Sequence, residues 1–306
     1  MARYPSTVMV SVVCPWDEAE RLDETMFRHA IRHALAANFR NLYVFGTAGE
    51  GYAVDSDRFR KVVEVLGDEL SGVDARPMVG VIGLSTANVL ERVRLAYGLG
   101  FRDFQISLPS WSPLTDPEVV TYLETVCGAF PDSSFMHYNT ARVGRLVGGP
   151  LYQEIVARVP NLVATKTMTT DLGVVAGVVR SAPELMHFLT EQSIAYGALF
   201  GEVALLGTFG ALAPEQSWAL LRAAQGGRHE EAAEIGAWFE RLNGEVLGPL
   251  MVDRRVDGAY DKTIQKLSRG MADFPLRMLS PYRTVSDREF ADVQLLLRER
   301  FPEIPQ

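Results

Sequence analysis

The segment Asn161-Leu162-Val163-Ala164-Thr165-Lys166 decides how this chain is read. A short apolar run that ends in a lysine is a buried strand delivering an amine to the end of a sheet rather than into solvent. A similar run, Ser134-Phe135-Met136-His137-Tyr138, ends in a phenol one strand-plus-helix unit earlier, roughly 30 residues. Side chains alternate along a strand, so Met136 shares a face with Tyr138, Phe135 with His137, and Ala164 with Lys166. A lysine and a phenol at matching ends of successive strands suggest covalent carbonyl chemistry.

Working outward, short apolar runs alternate with amphipathic stretches, the pattern of a parallel α/β fold. Strands are expected at Val8–Cys14, Leu42–Gly46, Met78–Ile82, Asp103–Ser107, Ser134–Tyr138, Leu162–Lys166, Leu185–Leu189 and Val203–Thr208. Eight such strands predict a closed (β/α)8 TIM barrel, which a chain of 306 residues is long enough to form. Helices are expected at Asp23–Ala37, Asp57–Leu70, Ala87–Gly100, Pro117–Phe130 and Pro150–Val159. Gly100 suits a helix stop and Asp116-Pro117 a helix start. Further helices at Glu215–Ala224, His229–Leu247, Ala259–Met271 and Ser286–Arg300 exceed what an eighth barrel unit needs. The expected organisation is a barrel over residues 1–225 carrying the active site and a C-terminal helical region over residues 226–306.

The composition, 47% apolar and 22% charged, is that of a soluble globular protein. No run approaches the ~18 apolar residues of a membrane span, and the first ten residues lack the pattern of an export signal. Cys14 and Cys127 stand far apart with no metal-ligand spacing, which fits a reducing, cytoplasmic setting. A net charge of −8 argues against a nucleic-acid surface. An anionic substrate must then be met by a few local groups.

In a TIM barrel the reactive groups lie at the C-terminal strand ends and the loops that follow. That rule collects Gly46-Thr47-Ala48-Gly49-Glu50, Pro109-Ser110-Trp111, Tyr138-Asn139 and Lys166. Lys166 is the candidate nucleophile, provided that desolvation lowers the pKa of its amine from near ~10.4. Taken alone, a strand-end lysine is more often a rim cation or an ion-pair partner. Tyr138 can give and take the protons of carbinolamine formation and dehydration, although alone it reads as a core aromatic. The Gly46–Gly49 turn can offer backbone N–H groups and the Thr47 hydroxyl to a carboxylate, but a bare glycine turn is a weak signal.

Together and in this order, these features resemble the dihydrodipicolinate synthase and N-acetylneuraminate lyase family of Schiff-base barrels. The resemblance covers the G-T/S-x-G-E turn as Gly46-Thr47-Ala48-Gly49-Glu50, the tyrosine as Tyr138-Asn139 and the imine lysine as Lys166. It extends through Leu199-Phe200-Gly201 to Ala213-Pro214 and through Lys262–Gly270 to Leu276–Pro281. It implies a pyruvate-like 2-oxo acid attached to Lys166 as an imine, Tyr138 relaying protons, and Thr47 orienting Tyr138. Glu50 would brace the turn. It also implies a homo-oligomer, a dimer or tetramer, and small-molecule 2-oxo acid and aldehyde partners. No cofactor is expected, and since His229-Glu230-Glu231 lacks a second histidine at i+4, no metal site is expected either.

Departures narrow the resemblance. Ala48 removes a hydroxyl from the turn, and Trp111 stands where the synthases place a proton-relaying tyrosine, so dihydrodipicolinate synthesis is disfavoured. Leu108-Pro109-Ser110-Trp111, Ile264-Gln265-Lys266-Leu267 and Pro281-Tyr282-Arg283 are most similar to the hydratase-aldolase branch, in which Trp111 would wall an apolar or aromatic aldehyde. The alternative for Trp111 is a rim aromatic packed against a neighbouring subunit. Arg142 would reach a second carboxylate, and Glu191 with Gln192 would meet the variable half of the substrate. Ala48, Gly49, Trp111, Asn139, Arg142, Glu191 and Leu206 are thus the expected substrate-binding positions beside catalytic Lys166, Tyr138 and Thr47. Gly207 removes a further hydroxyl, and His137 points away from the mouth. The competing readings are a sugar-acid dehydratase or aldolase of the same family, a non-catalytic barrel that binds a 2-oxo acid, and a metal-dependent aldolase on a similar barrel, against which the lack of a His/Asp/Glu cluster weighs.

Overall fold

Eight parallel strands close on themselves in sequence order in the computed structural model, which describes residues 2–305. They are β1 (Val8–Ser11), β2 (Asn41–Val44), β3 (Arg76–Gly80), β4 (Asp103–Ile106), β5 (Ser134–Thr140), β6 (Leu162–Met168), β7 (Met186–Leu189) and β8 (Val203–Leu206). Helices α1 (Glu24–Ala36), α2 (Ser56–Glu69), α3 (Thr86–Gly98), α4 (Asp116–Gly128), α5 (Gly149–Arg158), α6 (Leu172–Ser181), α7 (Ile194–Gly197) and α8 (Pro214–Gln225) follow the successive strands. Then come α9 (His229–Leu242), α10 (Gly248–Met251), α11 (Asp257–Leu267) and α12 (Asp287–Arg300). The chain is therefore a TIM barrel with C-terminal helices, and all eight expected strands are present with ends moved by a few residues.

The expected alternation sorts the core into two layers. Met78, Met136, Ala164, Met186, Phe188 and Ala204 fill the lumen, whereas Phe104, Phe135, Val175 and Val203 belong to the larger cluster between strands and helices. His137 faces that outer layer, where its ring pairs with the Tyr152 hydroxyl at 2.6 Å. The same outer cluster runs on through Leu250, Ala259, Ile264, Val293 and Leu297, so the C-terminal helices share the apolar packing of the barrel.

Helix starts follow local chemistry. Asp23 and Asp55 accept from backbone N–H groups in the first turns of α1 and α2, and Pro117 opens α4 where its missing N–H costs nothing. The α6 segment, Leu172-Gly-Val-Val-Ala-Gly-Val-Val, is rich in glycine and β-branched residues, which disfavour a helix locally. Burial of Val175, Val178 and Val179, with an Asp171 cap, outweighs that propensity. The expected single helix His229–Leu247 ends its α-helical part at Leu242 and continues as a π-helical turn, Asn243–Leu247. Pro249 cannot donate a hydrogen bond to the carbonyl four residues back, and the widened turn precedes it.

One irregularity sets the register of the two longest strands. Phe135 pairs with Leu162, but Met136 pairs with Ala164, so a bulge at Val163 advances β6 by one residue. Lys166, rather than Thr165, consequently stands directly opposite Tyr138. Bulges of this kind re-aim side chains beside active sites.

Candidate active site

The bulge and the alternation bring the Lys166 amine and the Tyr138 ring together at the C-terminal mouth of the barrel. Nζ of Lys166 lies 4.0 Å from the centre of the Tyr138 ring and 4.6 Å from that of Tyr43, and it donates a 2.9 Å hydrogen bond to the Tyr43 hydroxyl. Lys166 is only 2% exposed. Burial pulls its pKa down to about 7, against the weaker opposing pull of Asp261 and Asp257, so a substantial neutral fraction exists at physiological pH. Burial likewise raises Tyr43 and Tyr138, which stay neutral phenols.

The hydroxyl of Tyr138 hydrogen-bonds Thr47 Oγ1 at 3.1 Å, which places the turn after β2 within the same constellation. The turn is forced into shape by close packing. A Cβ on Gly49 would stand 2.6 Å from the Phe45 backbone nitrogen, so only glycine fits. Glu50 carries a positive φ of 57° and is fully buried. Its carboxylate accepts from Trp16 Nε1 and from the Leu279 N–H, each at 2.7 Å, and pairs with Lys262 Nζ at 2.7 Å. Glu50 thereby ties the turn to the C-terminal helices. Among the described residues, the backbone N–H groups of Ala48 and Gly49 donate to no protein acceptor.

A cavity of about 390 Å³ opens over this set. Tyr43, Thr47, Ala48, Tyr138 and Lys166 form its floor, and Met168, Leu206, Leu247, Met251 and Ile264 form an apolar wall. Asn243, Asp257, Tyr260 and Asp261 add a polar edge. Tyr43, Asn243, Asp257 and Asp261 were not singled out from the sequence. Signals for three of them are present: Tyr43 alternates onto the luminal face of β2, and Asp257 and Asp261 are four apart on one helix face.

The remaining expected positions, Gly49 among them, lie outside the cavity lining. Trp111 is 89% exposed and projects from the loop after β4. Asn139 spends its amide on the Val147 backbone, donating to the carbonyl at 2.9 Å and accepting from the N–H at 2.8 Å. Arg142 is half-exposed and forms a 2.6 Å ion pair with Asp257, a strut from the loop after β5 to the start of α11. Glu191 is buried, accepts from the Phe209 N–H at 3.1 Å and braces the turn after β8. Burial pushes its carboxyl up to about 7. Among the described residues, no group of three or more His, Cys, Asp or Glu side chains is arranged to hold a metal ion. None of their helices is long and apolar enough to cross a membrane.

A (β/α)8 barrel with a buried strand-end lysine, a facing tyrosine and a Gly-Thr-x-Gly-Glu turn defines a class of barrel proteins. The sequence profile of the dihydrodipicolinate synthetase family matches residues 4–251, and the chain belongs to that family. It is 24% identical over 182 residues to N-acetylneuraminate lyase 2 of Escherichia coli O6:H1, a match that covers 59% of each chain. It is 25% identical over 176 residues to the 4-hydroxy-tetrahydrodipicolinate synthase of Exiguobacterium sibiricum, covering 57% of this chain and 59% of that one. The matched part thus spans less than two thirds of these curated relatives. Among solved structures, the Escherichia coli K12 prophage protein YagE in complex with pyruvate superimposes with a TM-score of 0.83 at 16% identity, covering 96% of this chain and 98% of that one. That likeness establishes the shared barrel.

Proposed function

We propose that this chain is a Schiff-base-forming lyase, a class I aldolase or hydratase-aldolase, acting on pyruvate or a pyruvate-derived 2-oxo acid. The observation that carries this reading is the buried Lys166 amine, bonded to a neutral phenol and facing the Tyr138–Thr47 pair across one cavity. The neutral amine attacks the 2-oxo carbon. Tyr138 passes protons to and from the carbinolamine oxygen, water leaves, and an iminium remains on Lys166. The free N–H group of Ala48 and the Thr47 hydroxyl, both on cavity-lining residues, are the groups available to the carboxylate. Pyruvate as the donor draws support from its presence in the related YagE structure.

The apolar wall of Met168, Leu206, Leu247 and Met251 favours an apolar or aromatic aldehyde partner. Trp111, being exposed, is available instead for packing between subunits of a homo-oligomer. A second reading, a sugar-acid dehydratase or aldolase, is favoured by the polar edge of Asn243, Asp257 and Asp261. Borohydride reduction in the presence of pyruvate, followed by peptide mass spectrometry, tests the chemistry. An adduct on Lys166 is expected, and failure to trap any of several 2-oxo acids there would sink it. A screen of aromatic and sugar-derived aldehydes with pyruvate separates the two substrate readings.

A further inference from the structure

Helix α11 begins beyond residue 251, where the family match ends, yet it contributes to the cavity. Its docking has a clear cause. Gly258 lies against the catalytic turn, where an added Cβ would stand 3.4 Å from the Thr47 carbonyl oxygen and 3.4 Å from Glu50 Cγ. One helical turn later, Lys262 forms its buried ion pair with Glu50. Residues four apart share a face, so fixing Gly258 and Lys262 on the turn also fixes the neighbouring pair, Asp257 and Asp261, at the cavity. Asp257 is engaged by Arg142. The carboxyl of Asp261 receives no hydrogen bond from any other described residue and shares the cavity with Lys166 and Tyr138.

We propose that Asp261 is a catalytic base that takes the C3 proton of the 2-oxo acid once it is bound to Lys166, leaving Tyr138 to work on oxygen. This inference rests on the imine reading above. In the step, the C3–H bond breaks and its proton goes to the Asp261 carboxylate. The electron pair becomes the C2–C3 double bond, and the π pair of the iminium moves onto nitrogen to give the enamine. The titratable and charged groups that act electrostatically with Asp261 are Asp257, Lys166, Glu191, Arg142, Tyr43, Tyr52 and Tyr138. Burial, reinforced by Asp257, raises its carboxyl well above the ordinary carboxylate range, while burial lowers the neighbouring Lys166 amine. Lys166 is the leading group that pulls it down. Replacing a partly neutral amine by a permanent iminium cation favours loss of the Asp261 proton to cavity water, and the base is generated when its substrate is in place.

The test needs only pyruvate. Wild-type protein in D2O should exchange the pyruvate methyl protons, followed by proton NMR, and should be trapped on Lys166 by borohydride. Asp261→Asn should still be trapped, which shows the site intact, while exchange falls by about 10²-fold or more. Added formate should restore part of the exchange to Asp261→Ala, a recovery that a structural role would not give. Exchange at the wild-type rate in trapped Asp261→Asn, or no recovery with formate, would overturn the assignment. A wild-type protein that exchanges nothing and traps nothing would overturn the imine reading itself, and Asp261 with it.

Discussion

The molecule buries two lysines beside the same turn, and they have opposite environments. Lys262, 0% exposed, forms a 2.7 Å ion pair with Glu50 and donates to the Arg277 carbonyl. Lys166, 2% exposed, donates to a neutral phenol and faces an open cavity. Burial pulls both amines down from their ordinary range; the touching Glu50 carboxylate opposes that pull at Lys262, whereas Lys166 touches no carboxylate among the described residues and reaches about 7. Burial with a counterion makes a staple, and burial without one makes a nucleophile.

The largest expected effect removes the nucleophile. Lys166→Ala should abolish turnover and borohydride trapping while leaving the circular dichroism of the barrel unchanged. Turnover in that variant would break the comparison at once. Lys262→Met should do the converse, leaving the buried Glu50 carboxylate without its cation at a cost of about 3–5 kcal/mol in urea denaturation. Adding Glu50→Gln should recover part of that loss by removing the unpaired charge, and only part, because Trp16 Nε1 and the Leu279 N–H bond different carboxylate oxygens and the amide leaves an acceptor for one of them. A Lys262→Met variant of unchanged stability would show that the pair is no staple.

Replacing Lys166 by an apolar side chain should also stabilise the fold, with a pH dependence that identifies the cause. Below about 7 both the folded and unfolded chains bind the lysine proton, and the burial penalty is fully present. Between about 7 and 10.5 the folded chain has released a proton that the unfolded chain retains, so wild-type stability rises with pH across that window. Lys166→Met should therefore exceed wild type by ~1–4 kcal/mol at pH 7. The advantage should shrink as the pH approaches 10.5 in denaturant melts. A gain independent of pH would point to packing alone.

Much of this contrast was legible in the sequence, and the parts that were not share a cause. Apolar runs ending in Tyr138 and Lys166 marked β5 and β6, and the alternation put His137 outside, because strand period is a local property. The bulge at Val163 is invisible to period counting, since it depends on how two strands pair. Asp257 and Asp261 could be seen as a helical i, i+4 pair, but their aim at the cavity follows from Gly258 and Lys262 docking on a turn some 200 residues away in sequence. Trp111 was read as a possible wall from its loop, and the direction of a loop side chain is set by neighbours that the motif does not contain.

Tyr43→Phe is the finest test of what distinguishes the two lysines. The substitution keeps the ring 4.6 Å from the amine and removes the hydroxyl that accepts its proton at 2.9 Å. An accepted N–H steadies the amine and, because an acceptor favours the charged form, holds its pKa up. Without it the acid limb of kcat/KM, expected near pH 7 from Lys166, should move to lower pH. The loss of fixed geometry should cost about tenfold in kcat/KM at the optimum, the worth of one hydrogen bond. A slower enzyme with an unmoved acid limb would mean that Tyr43 only fills space. A moved limb at full rate would mean that it tunes the amine without positioning it, and the lack of a touching carboxylate would then remain as what separates Lys166 from Lys262.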